Sequence, residues 1–427
     1  MKPQNRNFLY ISPHFAPNSR VGAMRPLKFI RHIEKFGWTP IIFCGFDPKA
    51  DLDTSLLDFI PRNIAVHRTY NENNIPSSIL LDYLTTIRPE YIRPKQFRSG
   101  INWFNPELIP MGGDIFQIPK ALRNGRKVLM NTPCKAIMVN SDPYAAAYVG
   151  YKLSIEFNIP LIIDFRDPWS VCELRSPMRP FFTRISVRFI ESKIMNRASK
   201  IVLNTKEALS DYRKQYRNII SKKFTYLYNF NDTTMFNTVE NPTSVKNTPK
   251  KMIYMGNFRR FINGKELFEI LNILKERGYT ENHIRLSIFG NFPEESLRLA
   301  TSFGVMPYLE LHKPVPYADI VTYLESSDLL TLIMNKTRQR LPAKFFDYIC
   351  STKPILAISD NPELNELVNN NFGKSFNFSE LNKAADMIEH LIQETLVIES
   401  NRNNPYTASE ASKQLSNILD ESVSIFQ

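Results

Sequence analysis

The chain of 427 residues has no apolar run approaching the roughly 18 to 20 residues that a bilayer-spanning helix needs. Its opening, MKPQNRNFLYISP, also lacks the long apolar stretch of a signal peptide, so the expected location is the cytoplasm. Cysteine is scarce: Cys44, Cys134, Cys172 and Cys350 are widely scattered, with no C-x-x-C or Cys/His cluster. That spacing excludes an ordinary zinc site or a disulfide framework and predicts reduced thiols in or near the core. Zinc-finger spacings, RNP-like aromatic motifs and heptad-linked basic regions are missing too, which removes the sequence grounds for nucleic-acid binding. No internal repeat of the solenoid kind is present.

What the chain does have is the composition of a globular protein, 43% hydrophobic and 22% charged, at a length that suits two domains. The net charge of +12 is unevenly placed. Residues 1–240 hold 34 Lys and Arg against 20 Asp and Glu, whereas residues 241–427 hold 20 against 22. A basic region of this kind implies an anionic partner. Its densest stretches are 88–98, 120–127 and F-F-T-R-I-S-V-R-F-I-E-S-K-I-M-N-R-A-S-K (181–200). In the last, Phe181, Ile185, Phe189 and Met195 alternate with Arg184, Arg188, Lys193 and Arg197. One reading is a helix lying on an anionic membrane surface, the other a helix packed on the core with a solvated basic side.

Short apolar runs, each followed by an amphipathic segment, recur at 8–12, 40–44, 136–140, 161–165 and 200–204, and again at 252–255, 285–290, 329–333 and 354–358. Near-continuous apolar strands of this kind predict parallel sheets covered by helices on both faces. The expected class is therefore α/β, with an N-terminal Rossmann-like domain at 1–236, a polar linker at 237–251 and a C-terminal Rossmann-like domain at 252–405. A closing helix at 406–427, with Thr407 and Glu410 placed as a capping pair, is expected to pack back toward the first domain. Two doubly wound domains direct their ligand sites, at the carboxyl ends of the strands, toward a shared crevice.

Four segments at such strand ends carry chemistry. The loop S-P-H-F-A-P-N-S-R-V-G-A-M-R-P (12–26) places Gly22 before a helix, flanked by His14, Arg20 and Arg25, a turn that lets backbone N–H groups approach an anion. The run I-I-D-F-R-D-P-W (162–169) sets Asp164, Arg166 and Asp167 directly after a strand. They suit hydrogen bonding to substrate hydroxyls and pairing with an anion, or a salt bridge of Arg166 with Asp167 that orders the loop. In the second half, Y-M-G-N-F-R-R-F-I-N-G-K (254–265) repeats strand, glycine, loop and helix around Gly256, with Arg259, Arg260 and Lys265 available for a diphosphate. Finally, L-P-A-K-F-F-D-Y (341–348) puts Lys344 and Asp347 three apart on one helix face, suited to a phosphate and a ribose diol or to a plain surface ion pair.

Taken together, Y-I-S-P-H-F-A-P-N-S-R-V-G-A-M-R-P-L-K-F (10–29), D-F-R-D-P-W (164–169), Y-M-G-N-F (254–258), I-F-G (288–290) and L-P-A-K-F-F-D-Y-I-C-S-T-K-P-I-L-A-I (341–358) resemble glycosyltransferase family 4, the retaining transferases of the GT-B fold, in particular the members that assemble bacterial surface polysaccharides. The resemblance spans essentially the whole chain. It implies transfer of a sugar from a nucleotide diphosphate sugar to an acceptor hydroxyl, with the anomeric configuration kept and without a metal or other cofactor. The implied partners are a nucleotide sugar and a glycan or lipid-linked glycan acceptor; the uneven charge adds an expected peripheral contact of the basic domain with an anionic membrane. It places Asp347 at the family's ribose-binding glutamate, Gln339 at the earlier glutamate near the donor sugar, and Gly22 at the N-terminal loop glycine. Lys344 is implied as the group that stabilises the leaving diphosphate. Asn257 stands where an arginine is frequent, leaving Arg259, Arg260 or Lys265 for the phosphates. Arg166 and Asp167 occupy the region of a family histidine that this chain lacks.

Three other readings remain open on the sequence. Asp51-Leu52-Asp53 formally supplies the D-x-D of a metal-dependent transferase, although its setting beside Asp47 and Asp58 reads as a solvated loop. A sugar-nucleotide epimerase shares the two-domain architecture. A non-catalytic sugar-nucleotide-binding relative would explain both Gln339 and the missing histidine.

Overall fold

The computed structural model describes residues 6–45, 52–68, 109–141, 143–237, 249–258, 262–334, 337–396 and 404–426. The chain divides into an N-terminal unit, Met1–Tyr228 together with Ala408–Gln427, and a C-terminal unit, Asn229–Thr407. The division falls at Tyr228, upstream of the polar stretch 237–251, of which residues 238–248 lie outside the described residues.

The N-terminal unit is built on a seven-stranded sheet in the order β3-β2-β1-β4-β5-β6-β7. Its strands are β1 (Arg6–Ser12), β2 (Trp38–Cys44), β3 (Val66–Arg68), β4 (Ala136–Asn140), β5 (Leu161–Phe165), β6 (Lys200–Leu203) and β7 (Phe224–Tyr226), and every pairing is parallel. Among the described residues five helices run between them: α1 (Val21–Ile30), α2 (Ile118–Asn131), α3 (Ala145–Glu156), α4 (Phe181–Arg197) and α5 (Lys206–Gln215). β4 and β5 are buried at every position, as strands covered on both faces must be, and this is why they read as continuous apolar runs rather than alternating ones. Leu9, Ile137, Ile163, Ile201 and Leu203 form the centre of the core. Each such side chain contributes about 1.5–3 kcal/mol on leaving water.

The C-terminal unit repeats the plan with six parallel strands ordered β10-β9-β8-β11-β12-β13. These are β8 (Lys250–Met255), β9 (Ile284–Phe289), β10 (Leu309–His312), β11 (Leu329–Met334), β12 (Ile355–Ser359) and β13 (Gly373–Phe376). Its helices are α6 (Lys265–Glu276), α7 (Glu294–Ser302), α8 (Ile320–Glu325), α9 (Ala343–Tyr348), α10 (Pro362–Asn371) and α11 (Leu381–Ile392). The final helix, α12 (Ala408–Phe426), belongs to the N-terminal unit. It is tied there by Trp38 Nε1–H donating to Asp420 (3.1 Å) and by ion pairs of Arg6 with Asp420 (2.6 Å) and Lys200 with Glu421 (2.5 Å).

In each unit the chain starts at a central strand, winds to one edge and returns to the strand on the other side of the start. The strand order therefore reverses between β1 and β4 and between β8 and β11. Doubly wound sheets bind ligands beyond the carboxyl ends of the strands at these points. The four edge strands β3, β7, β10 and β13 were not among the strands expected from sequence. The strands are only three or four residues long and half-polar, so they carry no apolar run to mark them.

All four cysteines are free, with Cys44, Cys134 and Cys172 buried. Burial pushes the Cys134 thiol up to about 12. No helix among the described residues is long and apolar enough to cross a membrane.

Candidate functional site

In the C-terminal unit the site forms where β8 ends. Gly256 follows the strand at φ +134°, a conformation costly for any residue with a Cβ, and its N–H donates to Phe289 O (2.8 Å) at the end of β9. The adjoining Asn257 accepts from the Asn291 N–H through Oδ1 (2.8 Å), so the loops after β8 and β9 are fastened together. This is the position where the family resemblance leads one to expect an arginine. Here the residue holds backbone instead.

Lys344, in the first turn of α9, reaches back over this loop. A methyl group on Gly256 would lie 2.9 Å from its Nζ, so the glycine is what admits the ammonium. The ammonium also stands 3.8 Å from the centroid of the Tyr254 ring, a cation–π contact that fixes its height above the sheet. Beneath, the buried Tyr348 accepts the Met255 N–H at its hydroxyl (2.8 Å), docking α9 on the end of β8. One helical turn therefore carries both the phosphate candidate and its anchor.

Asp347 is half-buried on the same helix, and Tyr317 O–H donates to its Oδ1 (2.6 Å). Burial first, and then the neighbouring Asp347 carboxylate, hold the Tyr317 hydroxyl well above the ordinary tyrosine range. Tyr317 stays a donor throughout the physiological range and orients the carboxylate. Gln339 is buried at 2% exposure in the segment before α9. That segment is pinned by Asn361, whose Nδ2 donates to the carbonyls of Thr337 (2.8 Å) and Arg340 (3.1 Å) while its Oδ1 caps α10 at Leu364 N–H (2.9 Å). Lys265 is exposed at the start of α6. Arg259 and Arg260 lie outside the described residues.

In the N-terminal unit, Gly22, Arg166 and Asp167 come together at the ends of β1 and β5. A methyl group on Gly22 would collide with Arg166 Nη1 and approach His14 Cδ2 at 3.2 Å, so the guanidinium lies directly on the α1 backbone. Asn140, at the end of β4, donates to Gly22 O (3.2 Å). Arg166 Nη2 is 3.4 Å from Asp167 Oδ2, and both side chains are largely covered.

Arg25 and Asp164 are different from what the strand-end position suggested. Arg25 pairs with Asp164 through Nε (2.8 Å) and Nη2 (3.2 Å) and donates also to the carbonyls of Tyr228 (2.8 Å) and Leu227 (3.0 Å). With side chains 3% and 0% exposed, this is an internal pair that ties α1 to β5 and to the chain after β7, and neither charge is offered to a ligand. Of the D-x-D candidate, Asp51 lies outside the described residues, and Asp53 accepts from the backbone N–H (3.0 Å) and hydroxyl (2.5 Å) of Ser55.

Sequence reasoning missed Tyr254, Tyr317, Tyr348 and Asn361. Tyr254 and Tyr348 are the end residues of the motifs at 254–258 and 341–348, but Tyr317 and Asn361 stand 30 and 14 residues from Asp347 with nothing to link them to it.

The architecture defines the class: two Rossmann-like α/β domains of the GT-B fold. Solved structures with this fold include sucrose-phosphate synthase from Thermosynechococcus elongatus (TM-score 0.63, 13% identity, covering 99% of this chain and 97% of that one). Another is the Anabaena protein HepE in complex with UDP and glucose (TM-score 0.59, 14% identity, 99% and 98% covered). A third is the lipopolysaccharide outer core galactosyltransferase WaaB (TM-score 0.58, 10% identity, 97% and 99% covered). A protein described as a UDP-N-acetylglucosamine 2-epimerase, from Listeria monocytogenes, is also similar (TM-score 0.57, 14% identity, 96% and 95% covered). By sequence, no family model and no curated protein matches the chain.

Proposed function

We propose that the chain is a glycosyltransferase that moves a sugar from a nucleotide diphosphate sugar to an acceptor hydroxyl, and that the donor binds the C-terminal unit around Lys344 and Asp347. The observation that carries this reading is the ammonium of Lys344 held over the Gly256 backbone at the point where the strand order of that unit reverses. There it would neutralise the diphosphate, which gains charge as the glycosidic bond breaks. Asp347, oriented by Tyr317, would accept the ribose hydroxyls. Lys265, with Arg259 and Arg260, would complete the cationic side of the site. HepE, a structure of the same fold, was solved with UDP and glucose, which favours a uridine nucleotide.

Retention of configuration, independence of metal and membership of family 4 are parts of the same proposal, resting on the motif resemblance. Lys344 and the neighbouring cations take the place a metal would have on the leaving group. Arg166 and Asp167, brought against Gly22, are assigned to the catalytic and acceptor side. The acceptor is a glycan or lipid-linked glycan of capsule, O-antigen or exopolysaccharide assembly, met at the cytoplasmic face of the membrane by the basic N-terminal unit.

The test is a thermal-shift panel of UDP, GDP, ADP, CMP and their sugar conjugates on the wild type and on Asp347→Ala, followed by product analysis with and without acceptor and EDTA. A ligand at 100 times its dissociation constant adds about 2.7 kcal/mol of stability. One nucleotide family is expected to shift the wild type and not the variant, with EDTA-insensitive transfer that needs acceptor. Epimerised donor without acceptor would replace transfer by the epimerase reading, which the Listeria structure favours. A nucleotide shift without turnover would mark a non-catalytic relative.

A further inference from the structure

Helix α4 carries two faces that its sequence does not distinguish. Its inward face is Val187, Ile194 and Met195, packed into the core, with Thr183 and Glu191 also buried. Its outward face is apolar as well: Phe181 is 62% exposed, Phe182 80%, Ile185 50% and Phe189 59%, and Met178, just before the helix, 61%. Met195, which the sequence pattern grouped with these phenylalanines, is on the other side. The outer ridge contributes nothing to the core, and an aliphatic or aromatic row standing in water costs the protein solubility unless something covers it.

The exposed charges of the helix are of one sign. Arg184, Arg188 and Lys193 are exposed on α4, with the Lys193 ammonium 4.2 Å from the Phe189 ring centroid. The only acid of the helix, Glu191, points inward, where it accepts from the hydroxyls of Tyr212 (2.6 Å) and Tyr216 on α5 and its chain continuation. That contact sets α5 beside α4. Arg213 and Lys214 of α5, and Arg217 just past its end, are exposed and line an open, shallow concavity of about 370 Å³, with Glu207 and Asp211 half-buried on the helix.

We propose that the outer face of α4, with its own arginines and lysine, is the surface by which this protein seats on an anionic lipid bilayer. The phenylalanines and Ile185 enter the headgroup and acyl boundary, and the arginines and lysines pair with anionic headgroups. An exposed aromatic row carried between cations on one helix suits the headgroup and acyl boundary of an anionic bilayer. The inference gives a place to the membrane contact proposed above and is independent of the donor chemistry.

The experiment is sedimentation of the full chain with vesicles of phosphatidylcholine alone and of phosphatidylcholine with phosphatidylglycerol. The wild type is compared with F182S/F189S and R184E/R188E. These residues are exposed, so both variants should melt with the wild type, and both should keep its nucleotide-sugar thermal shift. The wild type should bind the anionic vesicles preferentially and release them in high salt. Each variant should bind them at least about tenfold more weakly. Equal binding to both vesicle types, or variants that bind as the wild type does, would overturn the proposal. So would a self-association seen by sedimentation velocity that F182S/F189S abolishes while vesicle binding is absent, which would make the ridge a contact between two copies. Loss of vesicle binding with the nucleotide shift intact sinks only this inference, and vesicle binding without any nucleotide shift sinks only the donor assignment.

Discussion

The two units share a plan, a doubly wound parallel sheet whose order reverses beside its first strand, yet they use the charges at that point in opposite ways. In the N-terminal unit Arg25 and Asp164 neutralise each other inside the protein, and Arg166 lies against Gly22 beside Asp167. In the C-terminal unit Lys344 stands half-buried over a glycine and an aromatic ring, and Asp347 is met by a neutral hydroxyl. A charge paired with its opposite stabilises a fold. In the function proposed above it is Lys344 whose charge would meet a ligand.

The contrast breaks most visibly at Arg25. Arg25→Met leaves Asp164 charged and buried, at a cost of about 3–5 kcal/mol. Urea or thermal unfolding should show that loss, while R25M with Asp164→Leu should recover most of it. A wild-type melt for Arg25→Met would mean that the pair is not structural. Next is Lys344→Ala, which should leave the melting temperature nearly unchanged but remove a charge-assisted contact of about 1.5–3 kcal/mol. Calorimetry should then show nucleotide diphosphate binding weakened by roughly 10- to 100-fold. Equal weakening by Arg166→Ala would erase the asymmetry between the units.

Gly256→Ala sharpens the comparison within the site. The Cβ at φ +134° brings strain of about 1–3 kcal/mol, and the methyl displaces the ammonium, so stability and nucleotide affinity should fall together in the same preparation.

The smallest effect concerns Glu191, whose carboxyl is raised above 4.5, chiefly by burial and against the lowering pull of Ser170, Tyr212 and Tyr216. The folded state therefore holds a proton that the unfolded chain releases. The contribution of this group is full below pH 4.5 and declines as pH rises through the folded value. Glu191→Gln has no such titration. Relative to wild type, its melting temperature should improve between pH 5 and pH 8, by the equivalent of about 1 kcal/mol or less. A difference that is flat or falls with pH would show that Glu191 is not buried as a titrating group.

The central strands were readable in the sequence because each carries a largely apolar, buried run, as a strand covered on both faces requires. The edge strands were not, since an edge of three or four residues is specified by its neighbour's backbone and asks little of its own side chains. The candidate site was readable in part. Gly256, Lys344 and Asp347 sit in short motifs whose residue types imply phosphate and ribose chemistry. Tyr317 and Asn361 were invisible, because a tyrosine that orients a carboxylate and an asparagine that pins a loop look like any other until the chain folds.

The sequence by itself determined the alternation of strands and helices, the α/β class and the basic character of the first half, because periodicity and composition are local properties. Only the tertiary structure decided which charges are internal. Arg25 and Asp164 are 139 positions apart and meet only when β5 lies beside β4 and α1 closes over them. The same holds for α4, where both faces are apolar and a helical repeat has no way to say which one meets the core. That choice belongs to the sheet the helix packs on, and it left the phenylalanines outside.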